Sequence, residues 1–229
     1  MKIHCLLALL GLTALAGKAS AGTIVGTVRA QGATEASDSG SGDGAYGSRR
    51  YKFVERIDYT QLQDFVVSLD QAVEAMPLVG TDKKVPTVVQ RDANFDPHVL
   101  PIAVGTRVRW PNEDDIYHNV FSMSETKEFD LKLYKKEKVP EIVFDKTGRV
   151  DVFCSIHSQM HCIILVLPNP FFAMADRHGH YTIKGVPAGK YRLKAWQERV
   201  PSQVKDVLVP ADGEVVVDFV LGLADLPKY

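Results

Sequence analysis

Ten residues from Phe153 to Cys162, FCSIHSQMHC, hold two cysteines, two histidines and a methionine. Thiolate, imidazole and thioether are soft or borderline donors, and their mixture in one short stretch suits copper better than calcium or magnesium, which take oxygen ligands. The stretch follows RVDVFC, where alternation puts Val150, Val152 and Cys154 on one face and Asp151 and Phe153 on the other. Cys154 therefore ends a strand while facing inward. The chain must then turn, and His157 and Met160 fall in that turn before the apolar run CIILVL. A trigonal site of two histidines and one cysteine with a weak axial methionine needs a further histidine. His118, in DDIYHNVFS after the run TRVRW, is the obvious donor.

The elements that must position these residues read as strands. Short alternating or apolar runs recur along the chain, among them TIVGTVRA, RYKFVERIDY, DFVVSLD, TRVRW, RVDVFC, CIILVL, HYTIKGV, KYRLKAW, DVLVP and EVVVDFVL. Period-two patterning with β-branched and aromatic residues, broken this often by turns, predicts an all-β chain of sandwiches or barrels. A turn or two of helix is allowed over residues 60–76. The Gly- and Ser-rich stretch Gln31 to Gly47 reads as a surface loop and lacks the Gly-Lys-Ser/Thr ending of a phosphate cradle. Breaks at Val79 to Pro86 and at Pro168 to Pro170 set off residues 85–168 as a unit.

The opening MKIHCLLALLGLTALAGKASA joins a basic Lys2, an apolar run and the triplet Ala19-Ser20-Ala21, the pattern of a secretory signal peptide over residues 1–21 cleaved after Ala21. The apolar run is too short to span a bilayer, and no later stretch is long enough. Loss of the leader removes Lys2, Lys18 and Cys5, leaving 25 basic against 28 acidic residues, a formal charge of −3. Such a chain gives no reason to propose nucleic acid or an anionic membrane as partner. Cys154 and Cys162 are then the only cysteines, enough for one bridge or one metal site.

Residues 91–168 resemble the cupredoxins, the blue copper proteins. FDPHVLPIAVGTRVRWPNEDDIYHNV looks like their segment of extended strand, Gly, strand ending in an aromatic, Asn, turn and His-Asn. FDKTGRVDVFC looks like their penultimate strand, and Cys154-x2-His157-x2-Met160 has the short loop spacing of the amicyanin type. The resemblance implies His118, Cys154 and His157 as equatorial copper ligands and Met160 as the long axial one. It implies that Asn119 ties the ligand loop to the neighbouring strand. It also implies a carrier of single electrons between redox protein partners, with His157 reaching the surface through an apolar patch that includes Ile156.

His161 and Cys162, directly after Met160, depart from that pattern. Cys162 reads as a buried core residue, as the partner of a Cys154–Cys162 bridge, or, with His161, as an additional copper ligand. A bridge would consume the thiolate. His98 in FDPHVL reads as a packed or surface strand residue, His178 and His180 as a solvated turn, Lys135 to Glu141 as a solvated loop, Arg49-Arg50 as a strand start and Trp110 as core.

In residues 169–229, ADRHGHYTIKGVPAGKYRLKAW resembles the carboxypeptidase regulatory-like module, a small prealbumin-type β-sandwich. Its usual first strand, Gly-x-Val, occurs only in GTIVGTVRA. The expected architecture is thus a cupredoxin Greek-key sandwich, residues 85–168, inserted in or joined to a discontinuous prealbumin-like sandwich made of residues 22–84 and 169–229. No catalytic pairing or zinc signature is evident, so nothing asks for an enzyme. The expected protein is periplasmic or secreted and mononuclear in copper. Two rivals stand beside it: copper storage or delivery involving Met123, His161 or Cys162, and a metal-free sandwich with Cys154 and Cys162 bridged.

Overall fold

The computed structural model describes residues 21–32, 57–73 and 85–222. Nearly all of the expected leader, most of the Gln31 to Gly47 stretch, Arg49 and Arg50, most of RYKFVERIDY and most of the Val79 to Pro86 break lie outside the described residues. Among the described residues the chain is all-β. Its strands are β1 (Ala21–Ala30), β2 (Val66–Leu69), β3 (Val89–Arg91), β4 (Asn94–Asp96), β5 (Val99–Ala103), β6 (Thr106–Arg109), β7 (His118–Ser124), β8 (Lys127–Tyr134) and β9 (Glu141–Phe144). They continue with β10 (Gly148–Phe153), β11 (His161–Leu167), β12 (Phe172–Met174), β13 (His180–Pro187), β14 (Gly189–Gln197), β15 (Val200–Val209), β16 (Glu214–Val216) and β17 (Phe219–Leu221). The helix allowed over residues 60–76 shrinks to one 3-10 turn, Tyr59–Gln61, capped by the Asp58 carboxylate on the Thr60 amide. Val66–Leu69 is held as strand because it pairs with β12 on one edge and β14 on the other and buries all four side chains.

The central sheet runs β5-β11-β10-β7-β8, and the pairs β3-β4 and β6-β9 join it around a core that includes Val108, Trp110, Phe144, Val150 and Val152. The other strands form two sheets, β12-β2-β14-β15 and β13-β1-β16 with β17 also on β1, which enclose a second core that includes Ile24, Val67, Leu193 and Phe219. Among the described residues, β1 and β2 thus pair only with strands that follow residue 171. The run EVVVDFVL divides into β16 and β17 at Asp218, whose carboxylate accepts from the Thr27 amide at 2.7 Å and hydroxyl at 2.8 Å.

β11 lies where the two cores meet. Cys162, Ile164 and Val166 enter the central core, while Ile163, Leu165 and Leu167 pack with Val66 and Val99 and against Phe172 and Trp196 in a separate apolar layer. A strand covered on both faces reads as an unbroken apolar run, which is why CIILVL does not alternate. Beyond it, Asn169 in the Pro168 to Pro170 link is buried. Its amide donates to the carbonyls of Leu69 at 2.9 Å and Gln71 at 2.7 Å, and its Oδ1 accepts from the Phe171 amide at 2.8 Å. Because Ile163 is fully buried between the two cores, Ile163→Ala should lower the unfolding free energy by about 2–5 kcal/mol. Denaturant unfolding at unchanged slope reads the effect, and a midpoint equal to the parent's would show that the layer is not packed as described.

Candidate metal centre

The β10–β11 register pairs Val152 with Cys162 and Phe153 with His161. Cys154 therefore stands one residue beyond the last pair, still on the inward face and in the central core. The chain turns back at once: the Cys154 amide donates to the Met160 carbonyl at 3.3 Å, and the Met160 amide to the His157 carbonyl at 3.0 Å. These two bonds fix a loop in which His157 is folded back toward Cys154. Met160 is completely buried in the same apolar cluster as Cys154.

His118 enters from the first position of β7 and is also completely buried. Its Nδ1 lies 3.1 Å from His157 Nδ1, and His157 Nδ1 lies 3.8 Å from Cys154 Sγ. One donor atom from each of the three residues falls within 4.8 Å of the others. Three such donors around one ion in a trigonal plane, at bond lengths of roughly 2.0 Å to nitrogen and 2.3 Å to sulfur, would stand about 3.5 Å and about 3.7 Å apart. The observed separations are near those values, and the donor set of two imidazoles and a thiolate fits copper.

The other side of the His118 ring is held by Asp114, a residue that the sequence reading did not single out. Its Oδ2 lies 2.8 Å from His118 Nε2. A carboxylate can only accept, so Nε2 carries a proton, and Nδ1 is the ring nitrogen turned toward Cys154 and His157. Asp114 also accepts from the amides of Asp92 at 2.8 Å and Ala93 at 3.0 Å. Those two residues form the tip of the β3–β4 hairpin, both with positive φ, 53° and 51°, as a tight two-residue hairpin turn requires. Asn112 shapes the segment that carries Asp114: its Oδ1 accepts from the Asp114 amide at 2.9 Å, and its amide donates to the carbonyls of Ile116 and Tyr134, both at 3.0 Å. Burial pushes the Asp114 carboxyl up, but the Ala93 amide, the His118 ring and the Asp92 amide outweigh it and hold the group below the usual aspartate value. An acid four residues before a candidate ligand histidine was the available signal.

The remaining expected site residues are placed elsewhere. The Asn119 amide donates to Asp130 on β8 at 2.7 Å, a bond that joins β7 to β8 and not to the ligand loop. His161 faces away from the centre, because adjacent strand residues point to opposite faces. Its Nε2 meets Asp151 at 3.0 Å, its ring stacks on Phe153, and its closest imidazole is that of His98. Cys162 sits in the core, where burial and then the charge of Asp151 push its thiol far up, away from the thiolate a metal would need. Both cysteines are free, so the bridge expected as one alternative is not formed. Met123 is 80% exposed. His178 and His180 flank Gly179 in a turn whose amides at 178 and 180 both donate to Asp176, and Trp110 is core, packed edge-on against Phe95.

Comparison with known proteins adds the following. Residues 170–217 match the family described as polysaccharide lyase family 4, domain II. No curated protein matches the sequence. Similar solved structures include a purple cupredoxin from Nitrosopumilus maritimus, at 25% identity over 35% of this chain and 98% of that one, TM-score 0.32. Another is a methionine-to-alanine variant of amicyanin with Cu(I), at 26% identity over 36% of this chain and 81% of that one, TM-score 0.33. A third is the Cu-containing nitrite reductase of Thermus scotoductus SA-01, at 30% identity over 42% of this chain and 25% of that one, TM-score 0.35.

Asp114 makes the fold sensitive to acid. A carboxyl held below its ordinary value contributes stability that is fully present above about pH 4 and is lost as the pH falls through the folded value. Asp151 is held down in the same sense, burial being outweighed by hydrogen bonds from Arg149 and His161. The metal-free protein should therefore lose melting temperature progressively below about pH 4, and Asp114→Asn should start lower and lose less. Parallel melting curves for the two proteins across that range would remove Asp114 from this role.

Proposed function

We propose that the chain is an exported, mononuclear copper protein that carries single electrons between redox protein partners. One observation carries the reading: His118 Nδ1, His157 Nδ1 and the Cys154 thiol converge from two separate chain segments at separations suited to one small ion. Copper, when bound there, supplies a one-electron couple between Cu(I) and Cu(II). The chain's own part is to keep the donors still. Asp114 fixes the tautomer and angle of His118, the two backbone bonds across the loop fix Cys154 and His157, and the buried Met160 adds a thioether to the same apolar cluster. Donors locked in this way change little with the charge on the ion, which is what a rapid carrier needs.

His157 is partly exposed, and Ile156 and Tyr117, each the sequence neighbour of a ligand candidate, are both 53% exposed. Apolar side chains beside the most accessible donor support a transient contact with a redox partner at this face. The leader pattern supports export to the periplasm or beyond, and no helix among the described residues is long and apolar enough to cross a membrane. The pairing of β1 and β2 with strands after residue 171 supports a discontinuous outer sandwich, residues 22–84 and 169–229, around a copper-binding unit of residues 85–168. Its assignment to the carboxypeptidase regulatory-like module is part of the proposal. Copper storage through Met123, His161 or Cys162 draws no support from an exposed thioether, an imidazole on the far face and a protonated thiol.

The test is a visible spectrum of the mature chain, purified reduced and titrated with Cu(II). A strong thiolate-to-copper band should grow to one equivalent and bleach with ascorbate. It should be absent in Cys154→Ser and, in His157→Gly, should depend on added imidazole. Loss of thiols without such a band would sink the proposal.

A further inference from the structure

On the face of β11 turned away from the copper centre, a second group of metal-ligating side chains comes together from three distant segments. His98 lies just before β5, His161 opens β11, and Glu198 sits in the turn between β14 and β15. One donor atom of each falls within 4.8 Å of the other two, and all three residues are partly exposed, so an ion can reach them. We propose that His98, His161 and Glu198 form a second metal site, for a borderline divalent transition-metal ion, bridging the central unit to the outer sandwich.

Three features mark this group as built. The His98 ring is aimed: its Nε2 lies 2.8 Å from Glu198 Oε2 and its Nδ1 3.2 Å from the His161 carbonyl. The His161 ring is clamped, stacked on Phe153 with centroids 4.8 Å apart and held by Asp151 at Nε2. The turn carrying Glu198 is pinned by Gln197, whose amide donates to the Gln63 carbonyl at 3.2 Å while its Oε1 accepts from the Arg199 amide at 2.7 Å.

The charge balance also fits. Arg149 forks onto Asp151 and reaches Glu198 Oε1 at 3.4 Å, which leaves Oε2 facing His98. The Asp64 carboxyl faces the same group: burial pushes it up, the His98 charge opposes that, and the Glu198 charge adds to it. Three carboxyl groups, Asp64, Asp151 and Glu198, stand with one guanidinium around the two rings, and a divalent ion between His98 Nε2 and Glu198 Oε2 would take the place of the proton that joins them. Two imidazoles and a carboxylate are the ligand mixture of zinc and its neighbours, and one ångström or so of side-chain closure would bring them to bonding distances of about 2.0–2.2 Å.

Zinc is the probe. The full mature chain, dialysed against Zn2+ and analysed for metal content, should hold two equivalents, and His98→Ala and Glu198→Gln should each hold one. A Cys154→Ala/His157→Ala chain should keep one equivalent, lost again when Glu198→Gln is added. Since Glu198→Gln leaves the thiolate-to-copper band untouched on this reading, failure here is distinguishable from failure of the copper proposal. Equal zinc uptake by the unsubstituted, His98→Ala and Glu198→Gln chains, or no zinc on the Cys154→Ala/His157→Ala chain, overturns the second site.

Discussion

The register between β10 and β11 is the constraint on which the rest depends. With Val152 opposite Cys162, the last inward position of β10 is Cys154, and the loop has five residues in which to return to Met160. A slip by one residue would exchange every inward and outward side chain of the strand. It would carry the thiol out of the core and turn His161 in. The register is in turn enforced from both sides of β11, because each of its faces fits a different apolar layer. Double-sided burial of one strand therefore sets the chemistry at its end.

The second half of the centre is set by a charge. Asp114 serves the β3–β4 turn and the His118 ring at once. A buried imidazole needs a partner for its second nitrogen, and a turn with two positive-φ residues needs acceptors for its amides. One carboxylate meets both needs, so the orientation of the His118 ring and the closure of a hairpin more than twenty residues earlier are mechanically joined.

The all-β class and the closeness of Cys154 and His157 were legible because both rest on short-range signals, period two along strands and donor types spaced along a turn, whereas His118, 39 residues from His157, was placed through the resemblance of its segment. His161 was left open as an additional copper ligand, and only the β10–β11 register, pairing it with Phe153, turns it to the opposite face. What could not be read was anything settled by a partner far off in the chain. His98 looks like an ordinary strand residue until Glu198, one hundred residues later, is brought to its Nε2. Asp114 looks like surface charge until the β3–β4 tip closes on it. Asn119 was expected at the ligand loop, but its amide is captured by Asp130 across the β7–β8 ladder. The helix allowed near residues 60–76 yielded to β2 because two flanking strands outweigh local preference.

The adjacency of β2 and β12 has a consequence for the order in which the molecule can be assembled. These antiparallel neighbours are separated in sequence by the whole central unit, yet neighbouring strands stand only about 4.8 Å apart. β2 cannot gain its β12 neighbour until the chain through Met174 has been made, and the outer sheets are complete only with β17, whereas the central strands pair almost entirely among themselves. A central unit already folded holds its own ends together and replaces a long flexible loop with a short rigid one, lowering the entropy lost on closure. In a chain made N-terminus first, β1 must wait with an unpaired edge for β13, β16 and β17, and the group of His118, Cys154 and His157 is in a position to assemble before them.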